Sequence, residues 1–282
     1  LDGSGPGAVV SRGSPFYFDW IEPDRLLAHV GVGTDALLGE IRLDGTPAAP
    51  AVHSPGVFNA PVMSADRNYI GYVRALAADG ADNASDFAAQ VVLASRDGSS
   101  EHTMPEFGVA AVAFDPSGDR IASIGATDEA SSRLAIPFGP LRVMDAQSGT
   151  ERTLLDGSVF AFWWSPDGRT IAALRVQTAL DAPSKSPLPS PTSDTREIRL
   201  LFVDVASGNI TSEALVDLGP LFINQLLMYF DQYTLSHHLW APDSSSILVP
   251  VVDAGGATRV AVMFRNGDPP AMIDGAIGFW SP

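Results

Sequence analysis

One phrase recurs along the chain and limits what it can fold into more than any other feature. It is an apolar run ending in a large residue, a turn rich in Pro, Asp and Gly, and a second apolar run. The clearest copy is Phe160-Ala161-Phe162-Trp163-Trp164-Ser165-Pro166-Asp167-Gly168-Arg169-Thr170-Ile171-Ala172-Ala173-Leu174. Others centre on Phe114-Asp115-Pro116-Ser117-Gly118, Trp240-Ala241-Pro242-Asp243-Ser244, Met63-Ser64-Ala65-Asp66-Arg67 and Trp20-Ile21-Glu22-Pro23-Asp24. A sixth starts at Phe279-Trp280-Ser281-Pro282. The large residues Trp20, Met63, Phe114, Trp164, Trp240 and Trp280 serve as anchors, at spacings of 43, 51, 50, 76 and 40 residues. Proline pre-sets φ and cannot donate to a ladder, so Ser-Pro-Asp-Gly ends a strand and reverses the chain.

The second half of each copy agrees. Leu38–Gly45, Val91–Gly98, Leu141–Gly149, Leu200–Gly208 and Val260–Gly267 are apolar β-runs closed by a turn. Each copy therefore reads as a four-stranded antiparallel unit of roughly 40–45 residues plus insertions. Such a unit cannot bury both faces alone, so copies must stack, with the anchor packed between neighbours.

The phrase Trp164-Ser165-Pro166-Asp167-Gly168-Arg169-Thr170-Ile171-Ala172 resembles the repeat of TolB-type propellers, a WD-like class of bacterial envelope proteins. The resemblance implies an all-β fold: a β-propeller of four-stranded blades in six-bladed geometry. The chain holds five full repeats and a partial one, read as a single domain over residues 1–282 that is cut short at its C-terminus. Ala8–Ser11 and Ala276–Trp280 are expected to supply the outer and inner strands of the sixth unit. The resemblance also implies an extracytoplasmic location. The first residue is Leu1 rather than Met, read as a processed or truncated start.

Composition narrows the chemistry. There are 33 acidic residues against 17 basic ones, a net charge of −16. A field of that sign repels phosphate backbones, so nucleic acid is not the expected partner. With no cysteine, disulfides, thiolate zinc sites and cysteine nucleophiles are excluded. No apolar run is long enough for a transmembrane helix. The sequence contains no His-Glu-x-x-His, no His-x-x-x-His and no Gly-x-Ser-x-Gly. No catalytic residue is assigned.

The long segments Ala77–Ala89, Thr127–Pro140, Gln177–Arg196 and Leu218–Ser236 all fall where strand two meets strand three or one repeat meets the next. In a meander those connections share one end, so that end is the expected binding face, on loops held by a rigid scaffold. Asp79, Asp82 and Asp86 are the one weak calcium candidate; a solvated polar loop is the competing reading, because the run lacks the EF-hand spacing. No other cofactor is expected. Phe222–Tyr233 is too apolar for an ordinary loop and reads as a short helix or a longer inner strand. It makes either an exposed protein-contact patch or a buried lid over the channel. Tyr229, Phe230, Asp231, Tyr233 and His237 are the partner-contact candidates. The functional expectation is a non-enzymatic scaffold that binds a protein partner. The alternative is a propeller that gates a fused or associated hydrolase of the prolyl oligopeptidase kind.

Overall fold

The computed structural model describes residues 9–31, 36–44, 60–76, 88–126, 138–177, 197–233 and 237–281. Repeat 1 holds β1 (Phe16–Glu22), β2 (Arg25–Val30) and β3 (Leu37–Arg42). Repeat 2 holds β4 (Val62–Met63), β5 (Tyr69–Leu76), β6 (Ala88–Ser95) and the first part of β7 (Glu101–Phe114). The rest of β7 opens repeat 3, followed by β8 (Arg120–Ala126), β9 (Gly139–Asp145) and the first part of β10 (Glu151–Trp164). Repeat 4 takes the rest of β10, then β11 (Thr170–Gln177), β12 (Glu197–Asp204) and β13 (Ile210–Leu215). Repeat 5 holds β14 (Ser246–Val252), β15 (Thr258–Phe264) and β16 (Ala271–Asp274). Because β7 and β10 each serve two repeats, β4 to β13 form one continuous ten-stranded sheet. Both strands slip register where they pass from one repeat to the next, which bends them.

The turn predicted from Ser-Pro-Asp-Gly is built as its residues require. Ser165 N–H donates to Thr170 O and Gly168 N–H to Ser165 O, at 2.9 and 2.8 Å. Ser165 Oγ donates to Asp167 at 2.6 Å and accepts from Thr170 N–H at 3.0 Å. Ser64 does the same with Asp66 and Tyr69. The fourth position is left-handed in four copies: Arg67, Gly118, Gly168 and Ser244, with φ between 61° and 82°. Glycine takes that conformation without strain, which is why two of the four are Gly.

The anchors share one ladder position. Trp20 pairs with Leu26, Met63 with Ile70, Phe114 with Ile121, Trp164 with Ile171 and Trp240 with Ile247. A second series repeats five times. Leu43, Arg96, Ala146, Val205 and Arg265, each just past its repeat's third strand, donate N–H to Asp24, Asn68, Asp119, Arg169 and Ser245.

Pairing parity shows how the units stack. The face carrying the anchor meets the preceding repeat, and the opposite face meets the following one. Ile21, Leu27 and Leu38 of repeat 1 pack on Ile70 and Tyr72 of repeat 2. Val62, Val91 and Met104 of repeat 2 pack on Val112, Phe114 and Ile121 of repeat 3. One larger cluster joins repeats 3, 4 and 5. The anchors fasten these joints: Trp164 Nε1 donates to Ala113 O, and Trp240 Nε1 to Trp163 O, both at 3.1 Å.

The wide interval before Trp240 has a structural cause. Leu218 bridges to Val251 and Trp240 to Ile247, so both lie on the first strand of repeat 5. That strand is interrupted by the helical segment Phe222–Tyr233. Two expectations fail at the termini: neither residues 9–13 nor residues 276–280 form a strand. The last segment instead lies over repeat 5, with Trp280 N–H on His238 O at 2.8 Å. No sheet closes, so a six-bladed ring is not established by the strand pairing.

Candidate functional site

The first strands of repeats 2 to 5 run side by side and enclose a concave volume of about 400 Å³. Its walls are Met63, Phe114, Trp164 and Trp240, and Pro116 and Pro166 mark its rim at the tight turns. Trp163 also lines it. From the other side Trp163 meets Phe222, with ring centroids 6.1 Å apart, and Phe230, edge-on at 5.4 Å. The interrupting helical segment thus packs behind the Trp163 wall of the cup.

The buried charge of the cup is committed to its architecture. The Asp115 carboxylate is fully buried and pairs with Arg120 at 2.8 Å. That guanidinium also donates to Gly168 O of the next repeat at 2.9 Å and lies 5.3 Å from the Trp164 ring centre. His237 stands edge-on to Phe279 at 4.5 Å. The lining is mostly aromatic and aliphatic and suits an apolar group, with His237 and His238 beside it. Among the described residues no three His, Asp or Glu side chains converge as a metal site. Asp79, Asp82 and Asp86 lie outside the described residues.

The helical segment is two-sided. Phe222, Leu226, Leu227 and Phe230 are buried, and Phe230 also packs edge-on against Phe162 at 5.5 Å. Ile223, Met228 and Tyr229 face outward, 39%, 44% and 50% exposed. The segment thus has one buried face and one exposed face, where the sequence left a buried lid and an exposed contact patch as alternatives. Of the contact candidates, Tyr229 lies on the outer face. Phe230, at 3% exposure, needs correcting: it is spent in the core and is not available to a partner. Asp231 and Tyr233 are placed in the last helical turn by their backbone. His237 is not with them; it lines the cup. Sequence reasoning missed Trp163, Met228 and Ile223. The double tryptophan was a usable signal, since adjacent strand residues face opposite ways and only one can be the anchor.

No protein-family model matches the chain, and neither does any curated protein sequence. Solved structures similar to it include an acylaminoacyl peptidase in complex with Z-Gly-Gly-Phe-chloromethyl ketone, at 12% identity and a TM-score of 0.48. That match covers 78% of this chain and 33% of the peptidase, so the chain spans about a third of that protein's length. TolB from Acinetobacter baumannii is similar at 15% identity and a TM-score of 0.45, with 86% of this chain and 50% of that one covered. The β-propeller domain of the Trilobed protease from Pyrococcus furiosus is similar at 14% identity and a TM-score of 0.44, with 80% and 61% covered.

Proposed function

We propose that this chain is a non-enzymatic binding scaffold, a β-propeller of six-bladed geometry that engages a protein partner through the end bearing the helical segment. The observation that carries the reading is the two-sided segment. Ile223, Met228 and Tyr229 are held outward by Phe222, Leu226, Leu227 and Phe230, which are fixed in the core, so they are presented without the ordering cost of a loose loop. Aromatic and Met side chains on such a platform are the usual anchors of protein interfaces. The proposal includes an extracytoplasmic location, on the strength of the repeat's resemblance to envelope propellers.

Site-specific photo-crosslinking tests the face. A crosslinker at position 229 should capture a partner in the native host, and Ile223→Ser with Met228→Ser should abolish capture. A crosslinker at Asp119, in a tight turn at the other end, should capture nothing. Capture at 119 alone would reverse the orientation.

A further inference from the structure

Four charged side chains close a ring across the joint between repeats 1 and 2. Arg25 reaches Glu22 at 3.3 Å and Glu40 at 3.4 Å. Arg96 reaches the same two carboxylates, Glu22 at 3.2 Å and Glu40 at 2.8 Å. It meets Glu40 through two nitrogens on two oxygens, the paired geometry in which guanidinium and carboxylate bind best. Three members of the ring belong to repeat 1. Arg96 is the member from repeat 2, and its own N–H is fixed there on Asn68 O at 2.8 Å. The four side chains are 13% to 28% exposed, with Glu40 the deepest, so water screens them less than it does a surface pair.

The other joints have a backbone to rely on. β7 and β10 pass from repeat 2 to repeat 3 and from repeat 3 to repeat 4. Arg265 stands in repeat 5 where Arg96 stands in repeat 2, and it also pairs back, to Asp167 at 2.8 Å. There the ladder runs on as well, with Val252 N–H on Asp217 O at 2.7 Å. Among the described residues no backbone hydrogen bond joins repeat 1 to repeat 2. Besides the ring, that joint rests on Ile21, Leu27 and Leu38 against Ile70, Tyr72 and Ala94.

We propose that the ring is an acid-released latch, which lets repeat 1 part from repeat 2 while repeats 2 to 4 stay folded. Two guanidinium and two carboxylate groups cancel when all four are ionised. A guanidinium keeps its charge in acid, so protonating Glu22 and Glu40 leaves two like charges facing each other in a part-buried site. Hydrogen bonding to Arg96 holds the Glu40 carboxyl below the ordinary glutamate value of 4.5. Its contribution is therefore complete above about pH 4.5 and is lost as pH falls through the lowered value. The other ionisable groups on the two apposed faces are Tyr17, Asp19 and His29 of repeat 1 and Tyr72, Arg74 and Glu101 of repeat 2. Asp24, Arg42, Asp44, Asp66, Arg67 and Asp97 stand in the flanking turns. Arg74 and Glu101 satisfy each other at 2.8 Å within repeat 2. His29 is buried, and an ordinary histidine titrates at about 6.5, so it is the rival trigger. The latch uses different residues from the helical patch, and neither proposal depends on the other.

The chain has no cysteine, so a single thiol can report each joint. Ala94→Cys reports the joint between repeats 1 and 2, and Ala173→Cys the joint between repeats 3 and 4; the two positions are 2% and 0% exposed. Reaction with dithiodipyridine, which works in mild acid, is followed on the whole chain and scaled to a free thiol at the same pH. The expected result is an Ala94→Cys thiol that becomes at least tenfold more reactive between about pH 5 and pH 3 while the Ala173→Cys thiol stays protected. Arg96→Met, which keeps the bulk and removes the charge, should give the same rise at Ala94→Cys already at pH 7. His29→Gln should leave the acid midpoint in place. The proposal is overturned if both thiols open together in acid, or if Ala94→Cys stays protected there. A midpoint near about pH 6 that His29→Gln abolishes would make the histidine the trigger and overturn it too. So would Arg96→Met leaving the Ala94→Cys thiol protected at pH 7, or exposing both thiols, since the joint would then not open by itself.

Discussion

At the scale of single residues, the anchors explain why a large side chain stands before each tight turn. The residue closes a joint by area and, where it is tryptophan, by one directed hydrogen bond. Trp240 is 5% exposed and its bond to Trp163 O lies inside the core. Trp240→Phe keeps most of the area and strands that carbonyl, so it should cost about 1–3 kcal/mol. Trp20→Phe, at a position 56% exposed, should change stability by less than about 0.5 kcal/mol. Urea unfolding of the two variants decides this, and equal losses would mean that the indole bond contributes nothing. All five complete anchors were legible in the sequence, because Ser-Pro-Asp-Gly and its variants mark a fixed distance from the rung. What each anchor touches was not legible, since partners fifty or more residues away leave no local trace.

At the scale of elements, the helical segment shows how a strand can be opened without losing its register. Leu218 and Trp240 still pair with β14 on either side of the excursion. The excursion is held by four buried apolar residues, Phe222, Leu226, Leu227 and Phe230. Phe230→Ala removes a ring that contacts both Phe162 and Trp163, and should cost about 3–5 kcal/mol. Met228→Ala, at a position 44% exposed, should leave Tm unchanged. If both were neutral in thermal unfolding, the segment would not be part of the core. From sequence alone the segment's apolarity was evident, but its spacing did not decide between helix and strand. Only the packing of Phe222 and Phe230 on Trp163 divides it into an inner and an outer face. The fold class was readable because the period of the repeats is long and its turns are chemically explicit. Closure was not, because it depends on contacts between the ends rather than on any local pattern.

At the scale of the whole molecule, charge sets a window of stability. The net charge of −16 makes folding work against repulsion near neutrality, so added salt should raise Tm at pH 7. Acid has the opposite effect through the turns. The Ser99 hydroxyl and N–H hold the Asp97 carboxyl at about 2, below the ordinary aspartate value of 3.8. The Ser148 N–H and the Ser207 hydroxyl lower Asp145 and Asp204 in the equivalent turns. These carboxylates bind protons less readily folded than unfolded, so their stabilisation is complete above about pH 4 and is lost as pH falls toward about 2. Thermal melts across pH and salt should show both limbs. A Tm indifferent to salt at pH 7 would mean that the acidic residues are too dispersed to matter.

The long shared strands have a mechanical consequence. Since β7 and β10 each pass unbroken from one repeat into the next, flexing the molecule between repeats 2 and 4 means rupturing ladder hydrogen bonds. From repeat 4 into repeat 5 the ladder also runs on, with Val216 N–H on Ile198 O and Val252 N–H on Asp217 O, before the helical excursion interrupts the strand, whereas repeat 1 meets repeat 2 through side chains such as Arg96 on Glu22 and Glu40. Repeats 2 to 4 behave as a stiff girder. The joint between repeats 1 and 2, which rests on those side chains, is therefore where the molecule can flex while the middle stays rigid.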